Sequence, residues 1–459
     1  MAGAAGQEYD VVILGGGSGG YACALRSAEL GLSVALVEKD LLGGTCLHRG
    51  CIPTKALIHA AEVADSARES EAFGVRATFD SIDMAGVNKY KDGVVARLYK
   101  GLQGLVKSRK VELVQGTGRL VAPNAVEVDG QRYTGKHVVL ASGSYSRSLP
   151  GLEVGGRVIT SEQALQLDSV PTSVVVLGGG VIGVEFASVW RSFGADVTIV
   201  EALPHLVPLE DEASSKALER AFRKRGIKFS LGVRFKGAQQ HDSGVTVTLE
   251  DGKTLEADLL LVAVGRGPNT AGLGYEEQGV AMDRGYVLTD ERLRTNVEGV
   301  RAVGDIVPGL QLAHRGFQQG IFVAEDIAGL QPTPIDENGI PKVTYSEPEV
   351  ASVGLTETKA REKYGDVDVV EYNLGGNGRS QIIGTTGFVK LVRQKDGPVV
   401  GVHMVGSRMG EQVGEAQLIV NWEAFPEDVA ALVHAHPTQN ESLGEAHLAL
   451  AGKPLHTHS

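Results

Sequence analysis

The chain has 459 residues and a formal net charge of -12 at pH 7, with acidic and basic side chains interspersed, a balance that argues against a nucleic-acid surface or an anionic membrane as partner. That length exceeds one compact core, so about three domains are expected. No apolar run reaches the roughly 18 residues of a membrane span, and the opening "MAGAAGQEYD" lacks the basic and long apolar regions of a signal peptide, so a cytoplasmic chain is expected.

The first elements lie in "YDVVILGGGSGGYACALRSAELGLSVALVEKD", residues 9 to 40. A β-branched run breaks at glycines, continues with helical character and ends in a second strand with a terminal acid, which is a βαβ unit. Gly15, Gly17 and Gly20 fit G-x-G-x-x-G. The first glycine permits a tight turn, the second lets backbone approach a pyrophosphate, and the third lets helix pack on strand. Glu38 is placed to accept hydrogen bonds from a ribose 2′-hydroxyl.

Directly after this unit comes "GGTCLHRGCIPTK", residues 43 to 55, with Cys46 and Cys51 five apart in a chain with one other cysteine. Cytoplasmic thiols stay reduced, so such a pair is more often redox-active or metal-binding than structural. Five residues of regular helix rise about 7.5 Å, more than the Cα spacing of a disulfide. A bridge therefore needs a distorted turn, which Gly50 and Pro53 allow. Pro53 also suits an early helical position, which puts Cys51 at a helix N-terminus where a thiol pKa falls. The leading interpretation is a dithiol/disulfide switch. A zinc site, a structural disulfide and two unrelated reduced cysteines remain as alternatives. For zinc, His48 could be a ligand, Cys23 falls mid-helix in the first unit, and no fourth ligand is evident, so no metal is expected.

The βαβ unit recurs as "SVVVLGGGVIGVEFASVWRSFGADVTIVEAL", residues 173 to 203. Gly178, Gly180, Gly183 and Glu201 repeat Gly15, Gly17, Gly20 and Glu38 at a constant offset. Both acids repel a 2′-phosphate, so the second site prefers NAD to NADP. A dithiol and NAD do not exchange electrons readily, whereas a flavin deals with both, and the two sites read as FAD and NAD. Proline and glycine set boundaries near Pro150, near Pro268 and across "GLQPTPIDENGIP", residues 329 to 341. "TNVEGVRAVGD", residues 295 to 305, reads as a strand ending in a Gly-Asp turn. In the tail, "HAHPTQNE" sets His436 five residues before Glu441 in a proline-containing loop opening a helix, where a carboxylate can fix the imidazole tautomer and raise its basicity. The tail also holds His434, His447, His456 and His458, and only His436 has both the proline and the acid.

This order of motifs resembles the pyridine nucleotide-disulfide oxidoreductase family over essentially the whole chain. The resemblance implies an α/β protein: two Rossmann-like dinucleotide-binding domains plus a C-terminal α+β dimerisation domain. Residues 1–150 would form the FAD-binding domain, 151–270 the NAD-binding domain, 271–340 a central segment completing the FAD domain, and 341–459 the interface domain. By the same resemblance Cys51 is the flavin-proximal thiol and Cys46 the interchange thiol, while Lys55 lies by the flavin paired with Glu185; read alone, Lys55 is a solvated helix lysine. Thr45, Gly118, Gly143, Ser144, Asp305, Ala313 and His314 are assigned to FAD, and Gly265 to NAD. His436 and Glu441 become the acid/base pair, acting on the disulfide of the other subunit of a homodimer.

The implied activity is oxidation of protein-bound dihydrolipoyl groups to lipoyl disulfide with NAD as acceptor. Implied partners are lipoylated domains and the acyltransferase core of 2-oxoacid dehydrogenase complexes, or the lipoyl protein of glycine cleavage. A glutathione-reducing member would carry basic residues in place of Glu201, and a mercury-reducing member a C-terminal cysteine pair, absent after Cys51. Two departures from the family pattern flank the chemistry: Gln439 and Asn440 where Leu-Ser is usual, and His48 and Arg49 where Asn-Val or Asn-Ile is usual. The second leaves Arg49 to stabilise a thiolate or to meet an acidic partner.

Overall fold

The computed structural model describes residues 8–457; residues 1–7 of the opening stretch and His458 lie outside the described residues. Strand β1 (Glu8–Leu14) is buried over its last four residues and β2 (Val34–Glu38) over its whole length. Strands covered on both faces read as continuous apolar runs, which is how "VVIL" and "VALV" look. Helix α1 (Ser18–Glu29) joins them. There follow α2 (Gly44–Arg49), α3 (Cys51–Glu69), α4 (Met84–Ser108), β3 (Glu112–Gln115), β4 (Gly118–Ala122), β5 (Ala125–Val128) and β6 (Gln131–Leu140). The sheet runs β3-β2-β1-β6-β5-β4, parallel from β3 to β6 and antiparallel beyond.

After β7 (Ser144–Ser146), β8 (Val158–Thr160) and the single turn α5 (Ser161–Ala164), the second unit begins. It comprises β9 (Ser173–Leu177), α6 (Val181–Phe193), β10 (Asp196–Glu201), α7 (Glu212–Lys224) and β11 (Lys228–Leu231). Strands β12 (Phe235–His241), β13 (Gly244–Leu249) and β14 (Thr254–Ala257) form an antiparallel flap before β15 (Leu259–Val262) re-enters. The resulting sheet, β11-β10-β9-β15-β8, is parallel throughout.

Strand β16 (Arg266–Pro268) pairs antiparallel with β7, so the chain leaves the first sheet and comes back to it along one two-stranded ribbon. After the β17 (Met282–Asp283) and β18 (Tyr286–Val287) hairpin, β19 (Val300–Ala302) joins the first sheet beside β6. Helix α8 (Ala313–Ile327) then packs on α1. A Cβ on Gly320 would lie 2.2 Å from the Gly19 carbonyl oxygen, so the two helices touch backbone to backbone.

The remaining strands are β20 (Lys342–Thr344), β21 (Glu349–Gly354), β22 (Val367–Asn373), β23 (Phe388–Gln394) and β24 (Val399–Gly406), in the antiparallel order β20-β21-β24-β23-β22. Helices α9 (Glu357–Tyr364) and α10 (Gly378–Ile383) lie between strands; α11 (Met409–Asn421), α12 (Pro426–Ala430) and α13 (Glu441–Leu450) close the chain. Side chains alternate across this sheet. Val389, Leu391, Val402 and Met404 pack with Met409, Ala416 and Leu443. The opposite face sends Val350, Phe388 and Val405 into the core of the second domain. Beside them Lys390 Nζ pairs with Asp211 Oδ1 and Glu357 Oε2, both at 2.8 Å, with Asp211 serving as the N-cap of α7. This sheet therefore fixes where the second domain stands.

Candidate active site

The two glycine turns have the same geometry atom for atom. A Cβ on Gly20 would lie 1.8 Å from the Gly15 carbonyl oxygen, and one on Gly183 would lie 1.9 Å from that of Gly178. Gly15 and Gly178 have φ of 113° and 110°, the left-handed region that favours glycine. Glu38 accepts N–H bonds from Gly16 at 2.7 Å and Asp40 at 2.8 Å; Glu201 accepts from Gly179 at 2.7 Å and Leu203 at 2.8 Å. Each carboxylate keeps lone pairs free for a further donor.

The middle glycines differ from their neighbours in kind. Gly17 and Gly180 have extended φ and ψ that any residue adopts, and a Cβ on either would meet nothing within 4 Å. No protein atom requires glycine there; a ligand pressed against the backbone would. Both are N-caps without a side-chain cap, so the first amides of α1 and α6 stay available to an anion. The residues therefore fit a dinucleotide pyrophosphate at each turn.

Both turns open onto one cavity of about 1850 Å³. Gly17, Thr45, Gly143, Ser144 and Asp305 line one part, and Gly178, Gly180, Glu201 and Gly265 another. Cys46, Cys51, Lys55, Glu185, Ala313 and His314 line the same cavity. Ser144 Oγ donates to Asp305 Oδ2 at 2.5 Å and receives Arg266 Nε at 2.7 Å. His314 approaches the Pro341 carbonyl at 2.8 Å, which holds the start of α8 against the linker into the third domain.

Gly50, at φ -147° and ψ -108°, breaks the helix that would otherwise run through the cysteine box. Cys46 ends up on α2 and Cys51 opens α3, with Lys55 one turn further along. Lys55 Nζ lies 3.0 and 2.9 Å from the two oxygens of Glu185 on α6. The hydrogen bond from the Cys46 thiol pulls Cys51 down to about 7, helped by the charge of Lys55 and opposed by burial and by Glu185. Cys46 is correspondingly pushed up, first by that hydrogen bond and then by burial. In the reduced pair the anion thus sits on Cys51, and Cys46 keeps its proton.

Arg49 lines the cavity but pairs with Asp40, and His48 Nε2 meets the Leu42 carbonyl at 2.9 Å while its ring abuts Tyr99 edge-on. The cation that acts on the thiolate is Lys55. Cys23 is buried in α1. Gly15, Gly20, Gly183 and Glu38 shape the turns from behind and do not line the cavity. Gly118 is outside it as well, its lost side chain making room for Leu14, Val37 and Val126.

His436 and Glu441 form their pair, Nδ1 to Oε1 at 2.7 Å, with the second Glu441 oxygen accepting the Thr438 N–H at 2.7 Å. Yet the His436 side chain is 76 % exposed and lies outside the cavity that holds the thiols. The loop around it is pinned: Gln439 donates to the Ser407 carbonyl, Asn440 to Glu415, and His434 Nε2 meets the other oxygen of Glu415 at 2.8 Å. His447 and His456 are scaffold, tied to the Leu443 carbonyl and to Glu445. Sequence reasoning missed Arg266, which follows the Gly265 already singled out and braces Ser144, and Tyr345, which no local pattern marks.

Comparison with known proteins agrees with this geometry. The family model described as pyridine nucleotide-disulphide oxidoreductase matches residues 9–320, and that of its dimerisation domain matches residues 340–447. A dihydrolipoyl dehydrogenase of Bacillus subtilis (strain 168) is 40% identical over 98% of this chain and 99% of its own. The mitochondrial dihydrolipoyl dehydrogenase of Pisum sativum is 39% identical over 98% of this chain and 93% of its own. Among solved structures, LpdA from Mycobacterium tuberculosis superposes with a TM-score of 0.90 at 28% identity, over 96% of this chain and 99% of that one.

Two outcomes are expected. Gly180→Ala should leave stability within about 0.5 kcal/mol of wild type and raise the KM for the nicotinamide dinucleotide about tenfold, whereas Gly183→Ala should lose about 3 kcal/mol in denaturant unfolding. In the dithiol-reduced protein, Cys51 should be alkylated by iodoacetamide at a rate half-maximal near pH 7, since a lowered pKa keeps the anion down to that pH and loses it below. Lys55→Met should move the midpoint upward; mass spectrometry of the labelled peptide reads both.

Proposed function

Because the chain belongs to the pyridine nucleotide-disulphide oxidoreductase family, we propose that it oxidises the dithiol of protein-bound dihydrolipoyl groups to the disulfide, with NAD as final acceptor. The observation that carries the proposal is that Cys46 and Cys51, with the Lys55–Glu185 pair, line the same cavity as the two dinucleotide cradles.

FAD is assigned to the first cradle, with Gly17, Thr45, Gly143, Ser144, Asp305, Ala313 and His314 around it, and NAD to the second, with Gly180, Glu201 and Gly265. A flavin held there supplies a two-electron relay, from thiolate to nicotinamide. Glu201, its carboxylate fixed by two backbone amides, selects against a 2′-phosphate.

The thiol steps belong to the protein. His436 of the partner subunit, its tautomer fixed by that subunit's glutamate, accepts the proton of one substrate thiol. The substrate thiolate attacks Cys46 Sγ of the oxidised pair; the Cys46–Cys51 bond breaks and Cys51 leaves as a thiolate. The second substrate thiol then attacks the substrate sulfur bound to Cys46, closing the lipoyl disulfide and releasing Cys46, which takes the proton that this thiol gives up. The pair now carries two electrons, whose departure from Cys51 restores the disulfide. One dithiol and one NAD thus yield one disulfide, one NADH and one proton.

A homodimer supplies the missing base, and the dimerisation-domain match together with the 76 % exposure of His436 supports that assembly. Lipoylated domains and the acyltransferase core of a 2-oxoacid dehydrogenase complex, or the lipoyl protein of glycine cleavage, are the proposed partners. The cytoplasm is the proposed compartment; among the described residues no helix is long and apolar enough to cross a membrane.

Anaerobic titration of the FAD-loaded protein with dihydrolipoamide should raise a long-wavelength thiolate-to-flavin band, and NAD, far better than NADP, should then be reduced. Bleaching by NADH without any response to dithiol would sink the proposal. The shared site has its own test: Cys51→Ser and His436→Gln chains, each inactive alone, should regain about a quarter of wild-type turnover when unfolded together and reassembled, because half the dimers are mixed and one of their two sites is intact. If each subunit used its own histidine, no activity would return.

A further inference from the structure

The Lys55–Glu185 pair is joined by a third residue, from the third domain. Tyr345 lies between β20 and β21, and its backbone N–H donates to Glu185 Oε1 at 2.9 Å. Its ring stands under the Lys55 ammonium, with Nζ 4.7 Å from the centroid. One residue thus touches both members of the pair, the carboxylate through its backbone and the cation through its π face.

The ring is half-buried and packs close to the first turn of α11, where a Cβ on Gly410 would lie 3.3 Å from Tyr345 Cε1. The Gly410 N–H is itself tied to Glu349 Oε2 at 2.8 Å. Lys55, by contrast, has a long side chain with rotamer freedom and is 34 % exposed. The aromatic face removes that freedom, because a cation is attracted to the negative face of the ring. Lys55 is one helical turn from Cys51 on α3, so the position of its ammonium decides how strongly its charge is felt at the sulfur.

We propose that Tyr345 is a positioning residue: its ring holds the Lys55 ammonium toward Cys51 and thereby sets the fraction of Cys51 present as thiolate. The inference rests on the reading of Cys51 as the flavin-facing sulfur. The groups that bear most on that sulfur include Cys46 on α2, Lys55 on α3 and Glu185 on α6, with Tyr21 on α1 also near; Arg49 and His314 line the same cavity but are held by Asp40 and the Pro341 carbonyl. The dimerisation domain thus touches the Lys55–Glu185 pair through one residue, by its backbone N–H and its ring.

The test is a series at position 345 in the FAD-loaded dimer: Tyr345→Phe, then phenylalanines bearing one, three and five fluorines, which keep the ring's shape while withdrawing its negative face, and Tyr345→Leu. The readout is the pH midpoint of the thiolate-to-flavin band in the two-electron-reduced protein. Tyr345→Phe should titrate like wild type. The midpoint should climb with each added fluorine, and Tyr345→Leu should hold about three- to tenfold less thiolate at a fixed pH below the midpoint. The fluorinated series decides the matter even if the leucine variant does not fold. A role in packing alone predicts a flat series, and a flat series overturns the inference. A wild-type protein with no such band overturns the reading of Cys51, and this inference with it.

Discussion

Three distant segments of the chain meet at the ion pair between Lys55 and Glu185, and the active site depends on it. Lys55 comes from the helix of the cysteine box, Glu185 from the helix of the second glycine turn, and the carboxylate also takes an amide from the third domain. The Glu185 side chain is only 4 % exposed, and a buried carboxylate is costly unless it is paired and hydrogen-bonded. Its partners must therefore be brought to it, and bringing them lays the two cradles and the thiols along one cavity.

The second organising fact is that one cradle is used twice with different continuations. In both copies an acid at the strand end grips the amide of the middle residue of a Gly-Gly-Gly run, and a later amide returns to that residue's carbonyl, from Gly43 in the first copy and Val207 in the second, each at 2.8 Å. After this return the first copy runs into the broken helix bearing Cys46 and Cys51, and the second into α7 and the flap. Redox chemistry is thus attached at one point of a common scaffold. The break at Gly50 matters because it lets two cysteines that a regular helix would hold apart bear on one another.

The third domain contributes in two directions. Inward, its sheet shares a core with the second domain and anchors Asp211 through Lys390. Outward, it presents His436 on a loop pinned by Asn377, Gln439, Asn440 and His434. The unusual Gln439 and Asn440 find a physical account here: each amide closes a hydrogen bond that a Leu-Ser pair would not make in the same way. A loop held in this way suits the role proposed for His436, a base acting on a sulfur of the partner subunit.

The sequence by itself was enough for the two βαβ units, the distorted turn between Cys46 and Cys51, and the His436 and Glu441 pair. Each is a local pattern in which spacing dictates geometry: glycines fix a turn, an acid five residues from a histidine reaches it, and a glycine breaks a helix. The motif gave Gly17 and Gly20 different roles, but not the surroundings that enforce them: open space for one and a carbonyl oxygen for the other. Nor could the sequence choose between Arg49 and Lys55 as the cation serving the thiolate, because that choice depends on Asp40 claiming one and Glu185 aiming the other. Tyr345 carried no signal at all, being 290 residues from Lys55 along the chain. Contacts between distant segments are set by how whole domains pack, and only the tertiary structure brings that ring to that ammonium.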